Sequence, residues 1–126
     1  MKEVLCVFIG GGVGSTFRYL VSLLFARELK NSICFFAGTF LVNLLGSFLI
    51  GLFLVWFSKQ QQNSLISTFF IVGFCGGFTT FSTLSRECLQ LLRGGEYITL
   101  ILYSSGTLLL GILAVFLGMQ FGKRIL

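Results

Sequence analysis

The densest chemical signal in the sequence is Gly73-Phe74-Cys75-Gly76-Gly77-Phe78-Thr79-Thr80-Phe81-Ser82-Thr83-Leu84-Ser85, where two adjacent glycines and five hydroxyl residues interrupt an apolar stretch. Glycine pairs and β-branched threonines weaken a helix. Backbone freed from helical bonding survives at membrane depth only where protein buries it or a cavity solvates it. The run therefore predicts a helix broken near Gly76 to Thr80. A break exposes carbonyls that can hold a cation, and N–H and hydroxyl groups that can hold an anion, as transporters and channels do at the bilayer midplane. The competing reading is a continuous helix whose hydroxyls bond back to the preceding turn.

Other polar residues recur at helical spacing. Gly11, Gly14, Ser15, Arg18 and Ser22 share one face; Gly38, Thr39, Asn43, Gly46 and Ser47 share another; Tyr103, Thr107, Gly111 and Gly118 lie on a third. The glycines of such stripes, Gly46 and Gly118 among them, read as packing seams. Asn43 and Arg18 are costly in lipid and point to a bundle interior or a wet cavity, although Asn43 can also bond across helices and Arg18 can snorkel or serve topology. No Asp, Glu or His lies securely inside an apolar stretch, Glu87 beside Arg86 coming nearest. A nucleophile with a base beside it is missing too, so an enzyme is not expected. Hydroxyls, an amide, aromatic ring edges and one positive charge remain, and they suit a small anion.

The elements that must position these groups are four apolar stretches, roughly 4–26, 33–57, 65–91 and 97–122, each long enough to cross a bilayer as a helix. Of the 126 residues, 56% are hydrophobic and only 10% charged, and the mean hydropathy is +0.98. A soluble domain of this size could not cover itself with polar groups. The expected fold is an all-α membrane protein, a single four-helix transmembrane domain over 1–126, multi-pass in the cell membrane, with the third helix broken near its middle. Arg18 and the three later stretches mark the first stretch as a span rather than a cleaved signal. Cys6, Cys34, Cys75 and Cys88 form no C-x-x-C pair and histidine is absent, which leaves a zinc or thiol redox site without parts. No nucleic-acid partner is expected; lipid is.

With four spans both termini share a side, so basic residues can be counted by side. Lys2, Lys59, Lys123 and Arg124 fall on one, and Arg27, Lys30 and Arg93, with Arg86 nearby, on the other. So even a balance leaves insertion undecided, and a chain this short can hardly enclose a wet path alone. An oligomer is expected, and an antiparallel, dual-topology homodimer would follow from two-way insertion, whereas a real bias hidden by a few miscounted residues would leave one orientation.

Gly11-Gly12-Val13-Gly14 leading to Arg18-Tyr19, Gly38 through Asn43, and above all Gly73 through Ser85 resemble the Fluc (CrcB-type) fluoride channels over almost the whole chain. The resemblance implies a passive fluoride channel, two pores per antiparallel dimer, and a central structural sodium ion (Na+) held by backbone carbonyls of Gly76 and Thr79 from both subunits. It implies that Phe81 offers a ring edge to the anion, that Ser82, Thr83 and Ser85 form a hydroxyl track, and that Asn43 donates its amide. Tyr103 and Thr107 would line the path from the fourth span, and Arg18 would hold anions near the vestibule. Leu84 departs from the family's pattern, which commonly has a second phenylalanine there. A small dual-topology multidrug antiporter is the alternative, but it needs an acid in the first span, where this chain has Arg18; a non-conducting accessory subunit is the third reading.

Overall fold

The computed structural model describes residues 1–28, 32–60 and 64–125. The connectors expected at 27–32 and 58–64 lie in part outside these residues, as do Lys30 and the side chains of Arg27 and Cys34. Among the described residues every element is a helix. Helix α1 covers Lys2–Glu28 and α2 covers Ser32–Gln60. The third span begins with α3 over 64–78, in which the stretch Thr68–Cys75 is wound more widely, as a π-helix, and Gly76–Phe78 returns to α geometry. It resumes as α4, Phe81–Arg93, and a tight turn leads into α5, Tyr97–Ile125. Four segments are long and apolar enough to cross a membrane: Lys2–Phe25, Phe36–Lys59, Ser64–Arg93 and Tyr97–Ile125. They agree with the four expected spans, and the chain is a multi-pass membrane protein.

Close packing follows the glycine stripes. Helix α1 lies along α3, and α5 lies along α2. A Cβ at Gly14 would run into the Phe74 carbonyl, and one at Gly77 into the Gly11 carbonyl; across the other pair, Gly118 faces the Phe48 carbonyl and Gly51 the Val115 carbonyl. Backbones meet directly at these points, the arrangement that drives helix association in lipid, where burying apolar surface gains little. The outward faces stay apolar, with Phe8, Ile98 and Leu102 largely exposed to the surroundings that lipid would fill. At the far end of α2, Phe53 and Phe57 pack on Phe70 with ring centroids 5.1 and 6.2 Å apart.

The turn after α4 has a physical cause. The Gly95 N–H bonds the Leu92 carbonyl and the Glu96 N–H bonds the Leu91 carbonyl, a pattern that needs a left-handed residue between, and Gly95 supplies it at φ 73°. That fixes how α5 returns beside α2, and so where Ser104 and Thr107 stand relative to α4.

Candidate functional site

Two residues carry the break. Thr79 (φ −78°, ψ 157°) and Thr80 (φ −150°, ψ 117°) run extended between α3 and α4. The break lies at the end of the interval expected for it, and Gly76 and Gly77 remain helical. Their helical cost is about 1 kcal/mol each, and Gly77 is needed in the helix to let α1 approach.

The backbone groups released by the break are met one by one. Asn43 reaches across from α2: its Oδ1 accepts the Thr80 N–H at 2.8 Å, and its Nδ2 donates to the Thr80 carbonyl at 3.2 Å. Arg18 Nη1 donates to the Thr79 carbonyl at 3.3 Å. The Thr79 N–H and hydroxyl both donate to the Cys75 carbonyl, each at 2.9 Å. Thr80 Oγ1 accepts the Thr83 N–H at 3.2 Å and so caps α4. Asn43 thus spends its carbonyl oxygen and one N–H on main chain.

Beside the break an open groove of about 650 Å³ runs between α2, α4 and α5. Asn43, Phe81, Leu84, Ser85 and Thr107 line it, together with Thr79, Thr80, Ser47, Cys88 and Ser104. Phe81 is 81% exposed at its mouth, so its ring edge is available to an ion. The hydroxyls rest on their own helices: Ser85 donates to the Phe81 carbonyl at 3.0 Å, Thr107 to the Tyr103 carbonyl at 2.7 Å and Ser104 to the Leu100 carbonyl at 2.8 Å. Each has to swing its proton away from a carbonyl before it can donate to an anion.

The remaining residues expected at the path stand elsewhere. Ser82 is exposed, its Oγ 3.3 Å from Thr80 Oγ1. Thr83 faces a second cavity of about 370 Å³ on the opposite side of α4, which Arg18, Ser15, Ser22 and Thr39 also line. Successive helical positions turn by about 100°, so Thr83 points nearly opposite Ser85, while Ser82, three positions before Ser85, adjoins its face without lining the groove; the three do not form one track. Tyr103 points away from the groove as well: its hydroxyl donates to Glu87 Oε2 at 2.6 Å and its ring packs on Phe36.

Glu87 is the residue that sequence reasoning set aside. It is 2% exposed, and Thr39 donates to its Oε1 at 2.9 Å. Six residues before Arg93, where the third span ends, it lies near the end of the span, as expected, about 9 Å in along the helix, and it is buried there by protein. The available signal was register: Thr80, Thr83 and Glu87 recur at i, i+3 and i+7.

The sodium ion implied by the resemblance can be tested on donor chemistry. Among the described residues no group of three or more His, Cys, Asp or Glu side chains could hold a metal, so carbonyls must serve. Gly76 and Thr79 lie at the C-terminal end of α3, where the helix dipole is negative. The N–H groups that would normally bond their carbonyls, those of Thr80 and Thr83, are given to Asn43 and to Thr80 Oγ1. Carbonyls released from helical bonding at a half-helix end suit a hard alkali cation, although here the Thr79 carbonyl accepts from Arg18. The residues fit the ion.

If Asn43 holds the break, Asn43→Leu strands the Thr80 N–H and carbonyl, at about 1–3 kcal/mol for each unsatisfied group. Thermal unfolding in detergent should show a large loss of stability, and a smaller one for Asn43→Asp, whose carboxylate still accepts the N–H. A leucine variant as stable as the parent would remove Asn43 from this role.

Residues 5–119 match the family described as CrcB-like protein, Camphor Resistance (CrcB). Similar curated proteins carry the name fluoride-specific ion channel FluC. One from Bacteroides fragilis is 44% identical over 125 residues, 98% of each chain. Another, from Phocaeicola vulgatus, is 47% identical over 118 residues, 94% of this chain and 96% of the relative. A third, from Aquifex aeolicus, is 40% identical over 126 residues, 99% of this chain and all of the relative. The likeness spans α1 to α5, the broken third span included, and the chain belongs to the CrcB-like family.

Proposed function

We propose that the chain is a passive, fluoride-selective pore, not an enzyme, that lets the anion leave the cytoplasm across the cell membrane. It works as an antiparallel, dual-topology homodimer with two pores and a sodium ion where the broken spans meet. The observation that carries this reading is the open groove with Phe81 at its mouth. An open groove on a membrane chain has to be filled by lipid or covered by protein, the few polar groups in its lining favour protein, and a second copy is the surface that would close it. The names of the relatives and the near-even basic charge on the two sides support the same reading.

Fluoride is small and strongly hydrated, so its pore must replace water with several short hydrogen bonds and yet hold the ion weakly enough for it to leave. The groove offers donors of that strength: the hydroxyls of Ser85, Ser104 and Thr107, the second N–H of Asn43, and the Phe81 ring edge. Weak acid enters a cell as neutral HF, dissociates at neutral pH and departs as the anion down its gradient. Sodium, when bound, supplies a positive charge that holds carbonyls of two chains together; Gly76 and Thr79 provide them.

One observation favours a second reading. Glu87 is a buried acid within a span, the kind of group a proton-coupled antiporter uses. Its two oxygens already accept from Thr39 and Tyr103, an arrangement that serves to hold the tyrosine in place as well as to carry a proton.

Liposomes containing the purified protein should release fluoride and retain chloride with no proton gradient imposed. Comparable chloride efflux, or a fluoride flux that stops without a gradient, would decide for another transporter.

Phe81 and Leu84 both line the groove, but a leucine has no ring edge to offer an anion. At matched protein content and confirmed assembly, Phe81→Ile should nearly abolish fluoride efflux, while Leu84→Ile keeps most of it and Leu84→Phe is tolerated. The reverse pattern would place control at position 84.

A further inference from the structure

Arg18 reaches the break from α1 and gives its Nη1 proton to the Thr79 carbonyl, 3.3 Å away. This is one of the two carbonyls assigned above to sodium. A guanidinium is a permanent cation with five donors in a fixed fork. Arg18 also lines the cavity of about 370 Å³ together with Ser15, Ser22, Thr39 and Thr83. Arg18 is itself half-buried, so a second cation on the same oxygen would meet its charge with little water between them. Carbonyl, arginine and cavity together form a two-position site: the guanidinium can rest on main chain, or turn into a polar space large enough for an anion and its remaining water.

We propose that Arg18 is the cation's internal competitor. In the single chain its guanidinium satisfies the Thr79 carbonyl; a sodium ion bound between two chains takes that carbonyl and releases Arg18 into the neighbouring cavity, where it is free to hold an anion. The proposal rests on the sodium reading given above and adds a linkage to it. Whatever sodium does for anion binding in the cavity, the anion does for sodium by the same factor. Assembly around the cation and loading of the anion are then two halves of one equilibrium.

The test uses purified protein freed of sodium in N-methylglucamine chloride and titrated with sodium chloride, with thermal unfolding and the dimer fraction as readouts, with and without N-methylglucamine fluoride. In the parent, fluoride should lower the half-saturating sodium concentration about fivefold or more, the usual scale of such coupling. Arg18→Gln should bind sodium about tenfold more tightly, and fluoride should no longer change its sodium affinity. Sodium affinity unchanged or weakened in Arg18→Gln, or a fluoride effect of undiminished size in it, overturns the competition and leaves the sodium site standing. If Arg18→Gln does not assemble, the parent alone decides: sodium affinity independent of fluoride overturns the proposal, and fluoride-assisted binding supports it. A parent that shows no response to sodium at all overturns the sodium reading, and this proposal with it.

Discussion

Asn43 holds both the N–H and the carbonyl of Thr80, at 2.8 and 3.2 Å, from a neighbouring helix. Main-chain groups released inside a membrane have no water to turn to, and each left unpaired costs several kcal/mol. One side-chain amide has a donor and an acceptor spaced like those of a peptide, so it can stand in for the strand that Thr80 lacks. With that pair made, α4 starts afresh with its own cap, and the Thr79 carbonyl is left to Arg18 instead of to a helical N–H. The glycine contacts between α1 and α3, and between α2 and α5, bring the helices close enough for Asn43 and Arg18 to reach the break.

The two faces of α4 then acquire different chemistry. Phe81, Leu84, Ser85 and Cys88 recur at i, i+3, i+4 and i+7 and line the open groove toward α5. Thr83 and Glu87 turn the other way, toward Thr39 and the side of Arg18. Thr80 borders both spaces, its hydroxyl shared among the Thr83 N–H, Thr83 Oγ1 and Ser82 Oγ. Neutral donors face the groove, and the ionisable side chains Arg18 and Glu87 stand behind it. Such a division suits an ion that must be attracted without being trapped, since full charges at close range would slow its departure.

Span number and the existence of a break were legible because hydropathy and the Gly-Gly-Phe-Thr-Thr run are local properties. The position of the break within the run was less so. Propensity points to the glycines, but tertiary contact with Gly11 keeps Gly77 helical, while Asn43, thirty-seven residues away, accommodates the threonines. The place of Glu87 near the end of the third span was legible, but its burial was not, because its two hydroxyl partners come from α2 and α5 and leave no trace near it in sequence. For the same reason the hydroxyls of Ser82, Thr83 and Ser85, adjacent in sequence, do not act as one row. Side-chain direction depends on helical turn and on which neighbour packs there, and only the first is written locally.

The central claim is that the groove is half of a pore and that an inverted second copy supplies the rest. Three added lysines at the terminal side, or at the turn after α4, should lock insertion in one orientation or the other, since the native balance of basic residues is nearly even. Fluoride efflux from liposomes holding protein made with one locked variant, with the other, or with both together measures the claim directly. The account predicts almost no flux from either alone and recovery when both are produced together. Full flux from a single orientation would contradict it.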